Sequence, residues 1–122
     1  MINMRIAQRQ EGATENCIQS CLDCHRVCLE TLRYCLQTGD QHSEYGFIRL
    51  LLDCANLSQM AAKFMLLASE FHPRLCELCA LACERCVVEC AQFTDDERIQ
   101  HCATICRQCA ETCQDISTIH VG

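Results

Sequence analysis

The sequence predicts an all-α protein, an antiparallel up-down-up-down four-helix bundle with a cysteine-lined core, and three observations carry that prediction. Four Gly and one Pro among 122 residues are too few breakers for a chain of tight β-turns. Apolar residues and cysteines recur at intervals of three and four through four separate stretches, the period of one helix face. Short links join the stretches, which makes consecutive helices antiparallel neighbours. Fifteen residues are Cys, whereas Leu, Ile, Val and Phe together number 29, near the floor for a globular core. Cysteine is the abundant residue left to fill the interior.

The first helix is expected over about residues 14–38, with Thr14 or Asn16 as N-cap and Gly39 at the C′ position. Residues 1–13 read as a flexible N-terminal segment of a single domain, 1–122. Cys17, Cys21, Cys24, Cys28 and Cys35 are spaced 4, 3, 4 and 7, which keeps every sulfur on one stripe. The second helix, about 43–70, carries Phe47, Leu50, Cys54, Leu57, Ala61, Phe64 and Ala68, an ordinary apolar stripe with one cysteine in it. Met60 and Met65 flank this stripe and read as core filler rather than thioether ligands. His72-Pro73 breaks the chain, and Pro73 suits the start of a helix because its missing N–H is not needed there. Cys76, Cys79, Cys83, Cys86 and Cys90 then follow at 3, 4, 3 and 4. Thr94-Asp95-Asp96-Glu97 fits the S/T-x-x-E capping box and opens a fourth helix holding Cys102, Cys106, Cys109 and Cys113. Folding about the three turns stacks Cys17 with Cys76 and Cys113, Cys21 with Cys79 and Cys109, and Cys28 with Cys54, Cys86 and Cys102, so that the sulfurs line one tube.

The polar stretch before Cys17 carries Arg5, Arg9, Glu11 and Glu15 and shows no apolar export segment, which points to the cytosol. Thiols stay reduced there, and dense cysteine then serves metal or redox chemistry. The formal charge of −6 argues against a nucleic-acid partner, which needs a basic face. No run of 18 apolar residues offers a membrane span. Neither a catalytic Ser/His/Asp set nor a glycine-rich phosphate loop is visible, so no enzyme is expected.

Disulfides within a helix need strained geometry, because i,i+3 and i,i+4 side chains are nearly parallel. Iron–sulfur ligation predicts a loop-borne cysteine run ending in proline, and this chain has none. Zinc is a stronger competitor, since Cys-x-x-Cys occurs four times. Yet each zinc bound by four thiolates leaves two uncompensated negative charges in a dry interior. Cu(I) is selected by thiolates, and one Cu(I) per thiolate leaves the loaded interior neutral. Six Cys-x-x-x-Cys pairs, at 17/21, 24/28, 79/83, 86/90, 102/106 and 109/113, each put two sulfurs one turn apart on the same face.

With Leu52-Asp53-Cys54 in the second helix, Cys76-Glu77-Leu78-Cys79-Ala80-Leu81-Ala82-Cys83-Glu84-Arg85-Cys86 in the third and His101-Cys102-Ala103-Thr104-Ile105-Cys106-Arg107-Gln108-Cys109-Ala110 in the fourth, the chain resembles the cytosolic copper storage proteins over about residues 14 to 116. The resemblance implies storage of Cu(I) inside each protomer and assembly of the bundles as a homotetramer. The charge balance has all fifteen cysteines hold multiple Cu(I) ions, on the order of one per Cys, with a copper chaperone as an expected partner. The resemblance also implies a mouth where His101 and Asp53 help ions in. His25 and His42 read as surface and loop residues. His72 and His120 fall in stripe register at the opposite end. The alternatives are a zinc-buffering or thiol redox-sensing protein and an oxidoreductase acting through Cys-x-x-Cys. The last needs an exposed low-pKa thiol near a βαβ unit, and the sequence shows neither.

Overall fold

The computed structural model describes the backbone of residues 4–121 and the side chains of residues 10–119. Four α-helices follow in order, α1 (Met4–Thr38), α2 (Tyr45–Leu66), α3 (His72–Cys90) and α4 (Glu97–Val121), with one short 3-10 helix over Asp40–Ser43. No strand occurs among the described residues. The 19 residues of α3 extend about 28 Å at 1.5 Å per residue. The links at 67–71 and 91–96 reach at most roughly 20 Å even when stretched, so each helix must return alongside the previous one. The helices pack in a ring, α1 on α2, α2 on α3, α3 on α4 and α4 on α1. No helix of the described residues is long and apolar enough to cross a membrane.

The helix ends test the expected caps. Gly39 ends α1 as anticipated: its φ is 77°, in the region open to glycine, and its N–H donates to the Cys35 carbonyl at 3.0 Å. Neither Thr14 nor Asn16 starts the helix. Residues 4–13, expected as a flexible segment, are helical, because good helix formers such as Arg5, Gln8, Arg9 and Glu11 outweigh the single Gly12. Thr14 instead donates its hydroxyl to the Gln10 carbonyl one turn back, at 2.7 Å, as threonine does inside a helix. At the far end of α2, Ala68 turns left-handed with φ 50°, and the Ser69 N–H reaches back to the Phe64 carbonyl at 2.9 Å. The second helix therefore stops at Leu66, short of residue 70. Pro73 sits in the first turn of α3 as expected. The cap of α4 is Asp96 rather than Thr94, with the Arg98 and Ile99 N–H groups donating to Asp96 Oδ1 at 3.0 and 3.1 Å.

All fifteen cysteines are fully buried. The large apolar side chains sit mainly above and below the sulfur column. At the end made by the first and third links, Phe47 stacks on Phe93 at 5.2 Å, with Ile99 and Leu51 behind. At the other end Ile116, Ile18 and Met65 are buried. The α2 stripe is rotated from expectation: Leu51, Ala55, Ser58, Ala62 and Met65 are buried beside Phe47, Cys54 and Ala61, while Leu50, Leu57 and Phe64 are only half-buried and Ala68 is exposed. Intervals of three and four fix a stripe only to within one residue when both flanks are apolar.

Candidate metal centre

Each cysteine faces inward because the spacing of three and four returns its Cβ to the same side of the helix. Antiparallel packing then sets the stripes of α1, α3 and α4 against one another. Five groups of sulfurs result, each with its members within 4.8 Å of one another: Cys17/Cys76/Cys113, Cys21/Cys79/Cys109/Cys113, Cys24/Cys83/Cys106, Cys28/Cys102/Cys106 and Cys86/Cys90/Cys102. The stacked layers anticipated from the sequence are thereby in place for Cys17 with Cys76 and Cys113, and for Cys21 with Cys79 and Cys109. Every group includes a cysteine of α4.

The spacing is that of unbonded thiols. Cys17 and Cys21 each lie 3.6 Å from Cys113, Cys24 lies 3.7 Å from Cys83 and 3.8 Å from Cys28, and Cys28 lies 3.7 Å from Cys106. All fifteen are free thiols. Three sulfurs bound to one ion at about 2.3 Å, the usual thiolate–metal length, lie about 4.0 Å apart, so these triads need little movement to close on a metal. Only the Cys21/Cys79/Cys109/Cys113 group offers the four thiolates that a closed zinc site takes. The other four groups hold three sulfurs, a donor set that satisfies a soft monovalent ion.

Hydrogen bonding between the thiols sets their acidity. The Cys106 thiol acts on Cys24, Cys54 and Cys102, Cys109 on Cys79 and Cys113 on Cys17, each holding its neighbour below the ordinary cysteine value. The donors are held up in return, Cys106 by Cys102 and Cys113 by Cys109. A thiolate formed at one position is thus solvated by S–H groups beside it, while those neighbours keep their protons. Cys35 stands apart from the five groups, pushed up to about 11 by burial and then by the charge of Asp96. Cys54 also stands apart, its thiol donating across to the Ala82 carbonyl of α3 at 3.1 Å.

His101 and Asp53 are not brought together. Both are exposed. His101 lines a 430 Å³ pocket with Val27, Glu30, Thr31, Tyr34, Glu97 and Arg98, in the seam of α1 with α4. Asp53 lines a 250 Å³ groove with Arg49, Arg85 and Glu89, in the opposite seam of α2 with α3. The cause is periodicity: each precedes an inward cysteine by one residue, a turn of about 100°, and points out of the bundle. His25, expected at the surface, is half-buried, with Nδ1 2.8 Å from the Ala55 carbonyl. The side chain of His120 lies outside the described residues.

His42 does more than occupy a loop. Its Nε2 lies 2.8 Å from Asp96 Oδ2, to which the Tyr34 hydroxyl also donates at 2.7 Å. Burial opposes the charge on Asp96, but hydrogen bonds from Tyr34, His42 and the Ile99 N–H outweigh it and hold the carboxyl below its usual range. One carboxylate thus ties α1, the first link and the start of α4 together over the end where Cys35 lies.

The sequence profile of the copper storage protein family matches residues 10–118. The chain belongs to that family. Family resemblance extends to an uncharacterized cysteine-rich protein of Bacillus subtilis, YhjQ, 38% identical over 107 residues, 88% of this chain and 98% of that one. Among solved structures, the Cu(I)-bound copper storage protein BsCsp3 of Bacillus subtilis is 38% identical with a TM-score of 0.81, over 86% of this chain and 98% of that one. A cytosolic copper storage protein of Streptomyces lividans, solved with five coppers, is 26% identical with a TM-score of 0.79, over 91% and 97%.

Proposed function

We propose that this chain stores Cu(I), several ions at once, in thiolate sites stacked along the axis of its bundle. The observation that carries this reading is the five sulfur groups within 4.8 Å, set in a core whose fifteen cysteines are all fully buried. Each ion that enters displaces one thiol proton to solvent, so charge in the dry interior does not accumulate. The capacity is on the order of one Cu(I) per Cys. Copper is the cargo, and no turnover is required of the protein. Cys35 and Cys54 join the thirteen grouped cysteines as ligands once neighbouring thiols deprotonate.

The protein acts in the cytosol, the compartment named for the Streptomyces lividans protein, receiving copper from a chaperone. Four copies assemble, and exposed leucines such as Leu36, Leu66 and Leu67, 59, 64 and 69% exposed, are side chains that contact between subunits would cover. His101 serves as a weak surface ligand on its own seam, with Glu30 and Glu97 supplying negative charge, and Asp53 attracts the ion from the opposite side. An anaerobic titration with Cu(I), followed by thiolate-to-copper absorption, tests the reading. The absorbance should rise to on the order of 15 equivalents, and His101→Ala should slow the rise while leaving its end point within about one ion. A break at about four equivalents would reject it.

A further inference from the structure

The sulfur column does not end at cysteine. Met65, at the far end of α2, is 5% exposed, and its Sδ lies 3.8 Å from the Cys76 Sγ. Cys76 belongs to the group with Cys17 and Cys113, which brings one sulfur each from α1, α3 and α4. Met65 adds a sulfur from α2, the remaining helix, beside Cys76. A 330 Å³ pocket lined by Glu11, Thr14, Glu15, Met65 and His72 opens this end to solvent, with acidic side chains to draw in a cation.

We propose that Met65 is a copper ligand, its thioether and the Cys76 thiolate holding one Cu(I) at the end of the column reached through this pocket. The chemistry favours the pair. A thioether is a soft donor without charge, so one Cu(I) between a thioether and one thiolate is neutral, whereas two thiolates on the same ion leave a buried negative charge. On binding, Cys76 gives its proton to solvent, the thioether donates a lone pair, and no electron changes hands. Methionine serving only to fill the core is the competing role, and it leaves the sulfur free of metal.

The inference rests on the storage of Cu(I) by the core thiols, and the test separates the two. The full chain, with its four methionines replaced by selenomethionine, is loaded with Cu(I) and measured at both the selenium and the copper absorption edges. The expected result is a copper neighbour for about one selenium in four, lost in both Met65→Leu and Cys76→Ser, with total copper reduced by about one ion in Met65→Leu. Absence of a selenium–copper neighbour in the wild-type chain, or its persistence in Met65→Leu, overturns the proposal. A copper edge that shows copper–sulfur bonds then leaves thiolate storage standing, and one that shows none removes both. Should Met65→Leu fail to fold, the wild-type spectrum and Cys76→Ser decide alone.

Discussion

Helices α2 and α4 pack in the same bundle but divide the labour between them. The inner face of α4 is a run of Cys102, Cys106, Cys109 and Cys113 between Ile99 and Ile116, and each of the five sulfur groups contains one of those cysteines. The inner face of α2 is Phe47, Leu51, Cys54, Ala55, Ser58, Ala61, Ala62 and Met65, a conventional core face with a single thiol. Cysteine fills less volume than leucine and gives up less on burial, so a bundle of four α4-like helices would pack loosely without metal. One apolar helix supplies the cohesion that lets the other three carry donors. The metal-free chain is therefore expected to be folded and helical already, unlike a zinc finger.

The largest expected effect comes from α4. Replacing Cys102, Cys106, Cys109 and Cys113 by Ser together disrupts all five groups, and Cu(I) capacity measured by native mass spectrometry should fall to less than about half. Cys54→Ser in α2 should cost about one ion. Equal losses per cysteine from the two helices would show that α4 is no common spine.

The reverse contrast concerns stability. Leu51→Ala removes a fully buried side chain and should destabilise the metal-free bundle by about 2–5 kcal/mol in urea unfolding, with capacity unchanged. Cys106→Ala, at an equally buried position, should cost about 1 kcal/mol. If the cysteine change proves the worse, cohesion lies in the sulfurs.

A smaller effect is expected at the start of α4. The Asp96 carboxyl is held below its usual range, so the folded chain binds fewer protons there than the unfolded one. Its contribution is complete above the unfolded value, about pH 3.9, and disappears as the pH falls through the lower folded value. Asp96→Ala should lower stability by about 1–2 kcal/mol at neutral pH, and the gap from the wild type should narrow in thermal melts below about pH 4. A gap that widens in acid would contradict the assigned direction.

Much of the site was legible because a helical period converts spacing directly into facing. The stripes of α1, α3 and α4 and their first layers follow from counting threes and fours. The stripe of α2 does not, since leucines at 50, 51 and 52 leave two rotations equally apolar. Met65 reads as filler in sequence for the same reason, and only its distance from Cys76 marks it out. The Tyr34, His42 and Asp96 cluster joins residues from three separate segments that no local pattern links. Asp96, one residue inside a recognisable capping box, is the one signal in the sequence that points toward it. His101 and Asp53 look paired beside Cys102 and Cys54, yet helix rotation sends them to opposite seams.

Least in size is the strain at the end of α2. Ala68 holds φ 50° in a region that costs a residue with a Cβ about 1 kcal/mol or more. Ala68→Gly should raise the melting temperature, corresponding to a gain of up to about 1 kcal/mol, and leave copper binding untouched. A fall would show that the turn is held by contacts of the Ala68 methyl.

The central claim, that a three-sulfur column is built for Cu(I) rather than zinc, is tested most directly by offering both metals to one sample of reduced, metal-free protein and counting each by native mass spectrometry. On the order of 15 Cu(I) per chain should be counted, with zinc displaced. Saturation at about four ions with zinc retained against Cu(I) would contradict it.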